Sequence, residues 1–301
     1  MSDITKIHGV DVCYEILGSE HQQTIVLISG LGSQMIRWDH AFCEILVERG
    51  FRVIRFDNRD SGMSVFHSKK PLNFNGNHQE FFSTITAEDI PYSLMDMAND
   101  VIGLLDYLHI DKAHFAGRSM GGIIAQLLGS YYPERVLSLT IIMSTSLNPT
   151  LPPSDPEVMA MMMKAPADPS VGKEDYIKEK LLFAKRISGN LYELDEIQEI
   201  KMIEEELIRS KTQDGVIRQL LAIATYPYNP EVLKKITVPT LIIHGTQDPI
   251  FFPDCGKDIA DSIPNAQFML IEGMGHSIPQ ELYSTICNQM MILFSENKKY
   301  S

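Results

Sequence analysis

Short apolar runs rich in β-branched residues alternate with stretches in which apolar positions recur every three or four residues. The first pattern suits a strand buried on both faces, and the second is the stripe of an amphipathic helix. Two short alternating runs around Gly9 predict an opening hairpin within 5–17. Strands are predicted at 24–29 (TIVLIS), 52–56 (RVIRF), 113–116, 136–142 (VLSLTII), 240–244 and 267–271 (QFMLI). Helices are predicted at 36–49, closed by Gly50, and at 94–108, 119–132, 254–262 and 280–295. Strand–helix alternation of this kind predicts a mostly parallel sheet with helices on both faces.

The rhythm stops between about 146 and 228. Pro149, Pro152, Pro153 and Pro156 open this stretch, and helical segments rich in Met, Glu and Lys follow. It reads as a helical insertion between the strands at 136–142 and 240–244. A second irregular stretch, 67–91, holds Asn73, Asn75, Gly76 and Asn77; a loop of that length inside a compact domain is usually functional or mobile.

Composition narrows the class. The 301 residues are 44% hydrophobic and 22% charged, which argues against global disorder, and the length fits one large α/β domain or two small ones. Thirty-nine Asp and Glu against 26 Lys and Arg give a net charge of −13, a field that repels phosphate backbones. Lys69-Lys70 and Lys298-Lys299 are only pairs, so nucleic acid is not an expected partner. Cys13, Cys43, Cys255 and Cys287 lie far apart with no C-x-x-C spacing, which reads as free thiols in a reducing, cytoplasmic setting without zinc. No basic segment followed by an apolar run marks a signal peptide, and no stretch reaches the roughly 18 apolar residues of a bilayer span.

The strongest local signal is Gly117-Arg118-Ser119-Met120-Gly121-Gly122, placed between a strand and a helical run. A G-x-S-x-G at such a turn is a nucleophile elbow: the bend strains the serine backbone, and side chains at the glycine positions would clash. The helix that follows aims free N–H groups at a developing oxyanion. A serine hydroxyl needs a base, and the base needs an orienting acid, expected in the order Ser, acid, His. His276, in Gly273-Met274-Gly275-His276 after the strand QFMLI, is the expected base. His244 ends a strand ahead of the acid and reads as a packing or loop-bonding residue. His114 reads as a core residue, and the other histidines as solvated. Asp248, in HGTQDP after the strand ending at 244, is the expected acid. Asp254 competes, but its place after Pro253 reads as a helix N-cap. The stretch 143–150 contains no carboxylate. Two backbone donors complete the set: Met120 N–H, and Leu31 N–H from the loop Gly30-Leu31-Gly32-Ser33.

These residues together resemble the α/β-hydrolase superfamily. The resemblance rests on GLGS at 30–33, FDNRDSGMS at 56–64, GRSMGG at 117–122, HGTQDP at 244–249 and GMGH at 273–276. ISGLGSQMIRWD with FDNRDSGMS is most similar to the branch of methylesterases and enol-lactonases. The resemblance implies an eight-stranded, mostly parallel sheet flanked by helices, with a helical cap inserted after the sixth strand. Residues 1–145 and 229–301 would then form the core and 146–228 the cap. The family usually opens its oxyanion loop with His-Gly; here Ser29 precedes Gly30. Haloalkane dehalogenases and epoxide hydrolases carry aspartate at the position of Ser119, so the chain resembles neither.

The function expected is a serine carboxylesterase or lactonase acting on small, largely apolar esters or lactones, with no cofactor and no metal. The alternatives are a receptor-like ligand binder on the same fold, and a perhydrolase or C–C hydrolase using the same triad. The partners expected are a small ester or lactone and, at most, a second copy of the chain. Met159 and Met162 in the cap, and Trp38 after the oxyanion loop, are candidate pocket residues; ordinary core packing is the competing reading. The cap is expected to be mobile and to set substrate size. Arg118 is read as salt-bridged or packed beneath the elbow rather than as a ligand for a substrate carboxylate. Asp57 to Asp60 read as loop braces, and Glu204 to Glu206 as a solvated helix face.

Overall fold

The computed structural model describes residues 2–67, 84–164, 168–211 and 215–296. Asn73, Asn75, Gly76 and Asn77, with most of the 67–91 stretch, lie outside the described residues, as do Lys69, Lys70, His78, Lys298 and Lys299. The strands are β1 (Asp3–Ile7), β2 (Val10–Leu17), β3 (Gln23–Ile28), β4 (Phe51–Phe56), β5 (Val65–Phe66), β6 (Ala113–Arg118), β7 (Val136–Ile142), β8 (Thr240–Gly245) and β9 (Gln267–Ile271). Eight run side by side in the order β1-β2-β4-β3-β6-β7-β8-β9, and the two-residue β5 pairs with β2. β1 and β2 are antiparallel; from β4 to β9 every pairing is parallel.

The helices are α1 (His40–Glu48), α2 (Leu94–Tyr107), α3 (Met120–Tyr131), α4 (Pro156–Met163), α5 (Lys173–Ile187), α6 (Glu196–Arg209), α7 (Gly215–Ala224), α8 (Glu231–Lys234), α9 (Pro253–Ser262) and α10 (Tyr283–Glu296). Alternation within β3 sorts them into two layers. Val26 and Ile28 face a core shared with α2, α3 and Ile259 of α9. Ile25 and Leu27 face the other core, with Phe42 and Leu46 of α1 and Ile286, Met290 and Leu293 of α10. The central strands are therefore covered on both sides, which explains their unbroken apolar sequences.

Four helix starts differ from the sequence reading; the slightest is α3, which begins at Met120 with Ser119 as its N-cap. The helix expected at 36 begins at His40, because the Asp39 side chain accepts a 2.7 Å bond from Ala41 N and caps it, while Met35–Arg37 is a separate 3-10 turn. Gln280–Leu282 is likewise a 3-10 turn ahead of α10. Asp254 is not an N-cap: Phe252 holds that position and Pro253 starts α9, so Asp254 sits in the first turn.

Helices α4 to α7 lie in the chain between β7 and β8, after the sixth strand of the eight-strand path. Charged pairs tie them to the loops of the sheet. Arg209 meets Asp57 at 2.7 Å, and Arg218 grips both oxygens of Asp60 at 2.7 Å. Arg37 binds Glu199 and Glu206 bidentately, at 2.7 to 2.9 Å. Glu206 therefore turns inward, correcting the solvated reading of 204–206; Glu204 pairs with Lys173 at the surface, and Glu205 is exposed.

Candidate active site

β6 ends in the elbow. Ser119 has φ 53° and ψ −123°, a strained region for a side-chain-bearing residue. Bonds on both sides hold it there: Ser119 N donates to Ile142 O (3.0 Å), while Gly122 N and Ser144 Oγ both donate to Ser119 O (2.8 Å). A Cβ on Gly117 would come within 2.1 Å of Gly121 O, and one on Gly121 within 2.2 Å of Ile28 O. The glycines on either side of the serine thus let the chain close on itself.

The loops after β8 and β9 carry Asp248 and His276, which the parallel sheet brings to the same edge as Ser119. Asp248 Oδ2 lies 2.7 Å from His276 Nδ1, and Asp248 Oδ1 accepts from Ile250 N and Phe251 N at 2.9 Å each. His244 Nε2 donates to Phe251 O (2.7 Å) and stands 3.4 Å from Asp248 Oδ2. Burial alone would raise the Asp248 carboxyl; the imidazoles of His276 and His244 outweigh it and hold it at about 2. With Nδ1 donating to Asp248, Nε2 of His276 is left as the acceptor. No hydrogen bond joins Ser119 Oγ to His276 among the described residues; contacts of this kind commonly tighten only around a bound substrate.

The loop after β3 approaches the serine closely. A Cβ on Gly30 would stand 3.1 Å from Ser119 Cβ and 3.6 Å from Ser119 Oγ. Among the described residues, no turn or loop bond engages the N–H of Leu31 or of Met120. Gly32, at φ +63°, donates its N–H to Gln219 Oε1 (2.7 Å), and Gln219 Nε2 donates to Arg59 O (2.7 Å). Ser29 is fully buried, and its carbonyl accepts from Asn58 Nδ2 (2.9 Å).

The remaining candidates scatter. Trp38 is buried, with Phe42 at 5.3 Å between ring centroids and the Arg118 guanidinium over its ring at 5.4 Å. Met159 is 40% exposed, Met162 is half-buried, and Val158 is the buried residue of α4. Arg118 has no carboxylate within ion-pair distance among the described residues, which corrects the salt-bridge reading; its polar contact is a 3.3 Å bond from Nη2 to Ser33 Oγ.

Two contacts were not legible beforehand. One is Gln219, a fully buried polar side chain inside the apolar run of α7, whose only sequence signal is that misplaced polarity. The other is the end of α5. Ile187 O accepts from His276 N (2.6 Å), Ser188 O from Gly275 N (3.1 Å), and Gly189 bridges to Met274. A glycine turn after a helix carries no signal of such a partner.

A family model described as alpha/beta hydrolase fold matches residues 23–281. The chain is 26% identical over 303 aligned residues to rhodomycin D methylesterase DauP of Streptomyces sp. (strain C5), covering 91% of this chain and 92% of that protein. It is 25% identical to rhodomycin D methylesterase DnrP of Streptomyces peucetius, with the same coverage. The crystal structure of the enol-lactonase from Burkholderia xenovorans LB400 superposes with a TM-score of 0.69 at 20% identity, covering 97% of this chain and all of that one.

Proposed function

Because the chain belongs to the α/β-hydrolase fold family, we propose that it is a serine hydrolase, a carboxylesterase or lactonase acting on small esters or lactones. The observation that carries this reading is the 2.7 Å contact of Asp248 with His276, on the sheet edge where Ser119 sits in its strained turn. The ester and lactone chemistry in the names of its relatives supports it. Residues 146–228 are taken as the cap, and 1–145 with 229–301 as the core.

In this mechanism His276 Nε2 takes the Ser119 Oγ proton as Oγ attacks the ester carbonyl carbon. Asp248 holds the imidazole tautomer and balances the imidazolium charge. The N–H groups of Leu31 and Met120 receive the tetrahedral oxyanion. Collapse breaks the ester C–O bond, the leaving alcohol takes the proton from His276, and Ser119 keeps the acyl group. Water then repeats the sequence with His276 as base and releases the acid. No step needs a metal or a cofactor.

The test is turnover of a short-chain p-nitrophenyl ester together with labelling by a fluorophosphonate. Ser119→Ala should abolish both and leave the fold intact. Labelling that persists in the alanine variant would overturn the assignment.

A further inference from the structure

Arg118 stands directly before Ser119 and is out of place by the usual rules of charge. The chain has an excess of 13 carboxylates over cationic side chains, yet this guanidinium has no carboxylate within ion-pair distance among the described residues. A buried charge without a partner is costly, and such groups are normally paired. The nearby acids are already committed, since Glu199 and Glu206 each bind Arg37 with both oxygens. Of the five N–H donors of Arg118, one binds Ser33 Oγ. The others are not sealed away: no nitrogen of Arg118 is both buried and unpartnered, and the side chain is only half-buried. Its free donors are therefore within reach of a ligand from solvent. Burial and the charge of Arg37 pull the Arg118 guanidinium down to about 10, as expected of a cation lacking its counter-ion.

Lys180 of α5 lies over the Tyr176 ring, 5.5 Å from its centroid, has no ion pair among the described residues, and feels the same Arg37 and Glu206 charges that act on Arg118. Arg118 itself is backed by the face of Trp38. The result is a planar fork on the residue next to the nucleophile in the chain, stacked over a buried indole, with its remaining donors unclaimed among the described residues.

We propose that Arg118 is a substrate-binding residue that receives a carboxylate, so that the ester or lactone cleaved at Ser119 carries one free acid group. The guanidinium fork matches a two-oxygen planar anion bidentately. A monoanion fits better than a multiply charged one in a protein this acidic. The claim that the carboxylate belongs to the molecule cleaved rests on the serine-hydrolase reading; the claim that Arg118 binds a carboxylate does not.

Trp38 is the only tryptophan of the chain, so all indole emission comes from the ring under this guanidinium. The Ser119→Ala protein is titrated with monomethyl glutarate and with dimethyl glutarate, following Trp38 emission and, in parallel, heat of binding. The monoacid should bind at least tenfold more tightly than the diester, and the difference should vanish in Arg118→Met and survive in part in Arg118→Lys. Equal binding of the two esters would overturn the proposal, as would a preference that persists in Arg118→Met. The comparison of the two esters needs no arginine variant, so misfolding of Arg118→Met leaves it decisive. With active protein, a p-nitrophenyl hemiglutarate should show at least a tenfold lower KM than p-nitrophenyl butyrate. A carboxylic acid on the alcohol side, as in butyryl glycolate, tests which half of the substrate carries the anion. Carboxylate binding without Ser119 labelling would refute the hydrolase reading alone; hydrolysis of neutral and acidic esters with equal KM would refute the carboxylate site alone.

Discussion

The N–H of His276 donates to the carbonyl of Ile187 over 2.6 Å, so α5 ends on the backbone of the loop that carries the imidazole. Gly189 continues the contact at φ +91°, where a Cβ would lie 2.3 Å from Gly273 O and 2.8 Å from Gly275 N. The histidine loop is therefore braced by a segment of the helical insertion as well as by the sheet.

Gly189→Ala should part these two backbones, because neither neighbouring atom belongs to a flexible side chain. We expect kcat to fall by roughly tenfold or more with a smaller change in KM, since positioning of the base is lost before binding is. The low-field proton resonance of His276 Nδ1–H should broaden or shift. Unaltered kcat and an unaltered resonance would show that the brace does not position the base.

Gln219 makes a comparable tie on the other side of Ser119. Truncation in Gln219→Ala removes the acceptor for Gly32 N–H and the donor to Arg59 O. Leaving such groups unpaired costs about 1–3 kcal/mol. Urea unfolding should show a loss of that size, and release of the loop holding Leu31 should lower kcat by about tenfold, well short of losing an oxyanion donor outright. Full activity in a protein destabilised by this amount would separate the loop anchor from the oxyanion site.

What the sequence showed and what it hid divide along chain separation. Gly117 announces the elbow because the clash it avoids is with Gly121, four residues on in the same strand–turn–helix unit; the approach of Gly121 to Ile28 of β3 is long-range, and only its place in the G-x-S-x-G pattern makes it legible. Asp248 and His276 are legible because each follows its strand within a few residues, and parallel strands deliver their loops to one edge. Gln219 and Gly32 are 187 residues apart, and nothing local to α7 says which loop its amide will meet. Glu206 misleads for the same reason: three consecutive glutamates look solvated until Arg37 arrives from the turn before α1. Arg118 is the opposite case, where the expected partner is missing, and a missing partner leaves no trace in a sequence.

His114 gives the fold an acid-sensitive element far from the reacting atoms. Its ring stacks on Phe294 at 3.9 Å and Nδ1 lies 2.7 Å from Ser138 Oγ. Burial pushes the imidazole down to about 4 from its ordinary 6.5. Between these values the unfolded chain binds a proton that the folded one refuses, so stability is full above 6.5 and drains away as pH falls toward 4. From pH 7 to pH 5 the loss should be about 2 kcal/mol. In His114→Gln that part of the slope should disappear from urea unfolding curves; an unchanged slope would place the acid sensitivity elsewhere.

The proposed mechanism separates the roles of Asp248 and Asp254. Asp248 is buried and bound to His276, whereas Asp254 sits in the first turn of α9. In Asp248→Asn an amide donor can replace the carboxylate oxygen facing Nδ1, which turns the imidazole into the tautomer that cannot accept from Ser119. The loss in kcat should be of the order of 10³–10⁴, while Asp254→Asn should stay within about twofold of the parent. Stability supplies a second readout with a defined sign. The folded Asp248 carboxyl is held at about 2, below its ordinary 3.8, so its contribution is complete above about 4 and is lost as pH falls through 2. Between pH 6 and pH 3 the parent should lose about 1 kcal/mol that Asp248→Asn does not lose. Asp254→Asn should follow the parent curve throughout. Equal losses of activity in the two variants, or a parent curve indistinguishable from that of Asp248→Asn below pH 4, would move the acid to another residue.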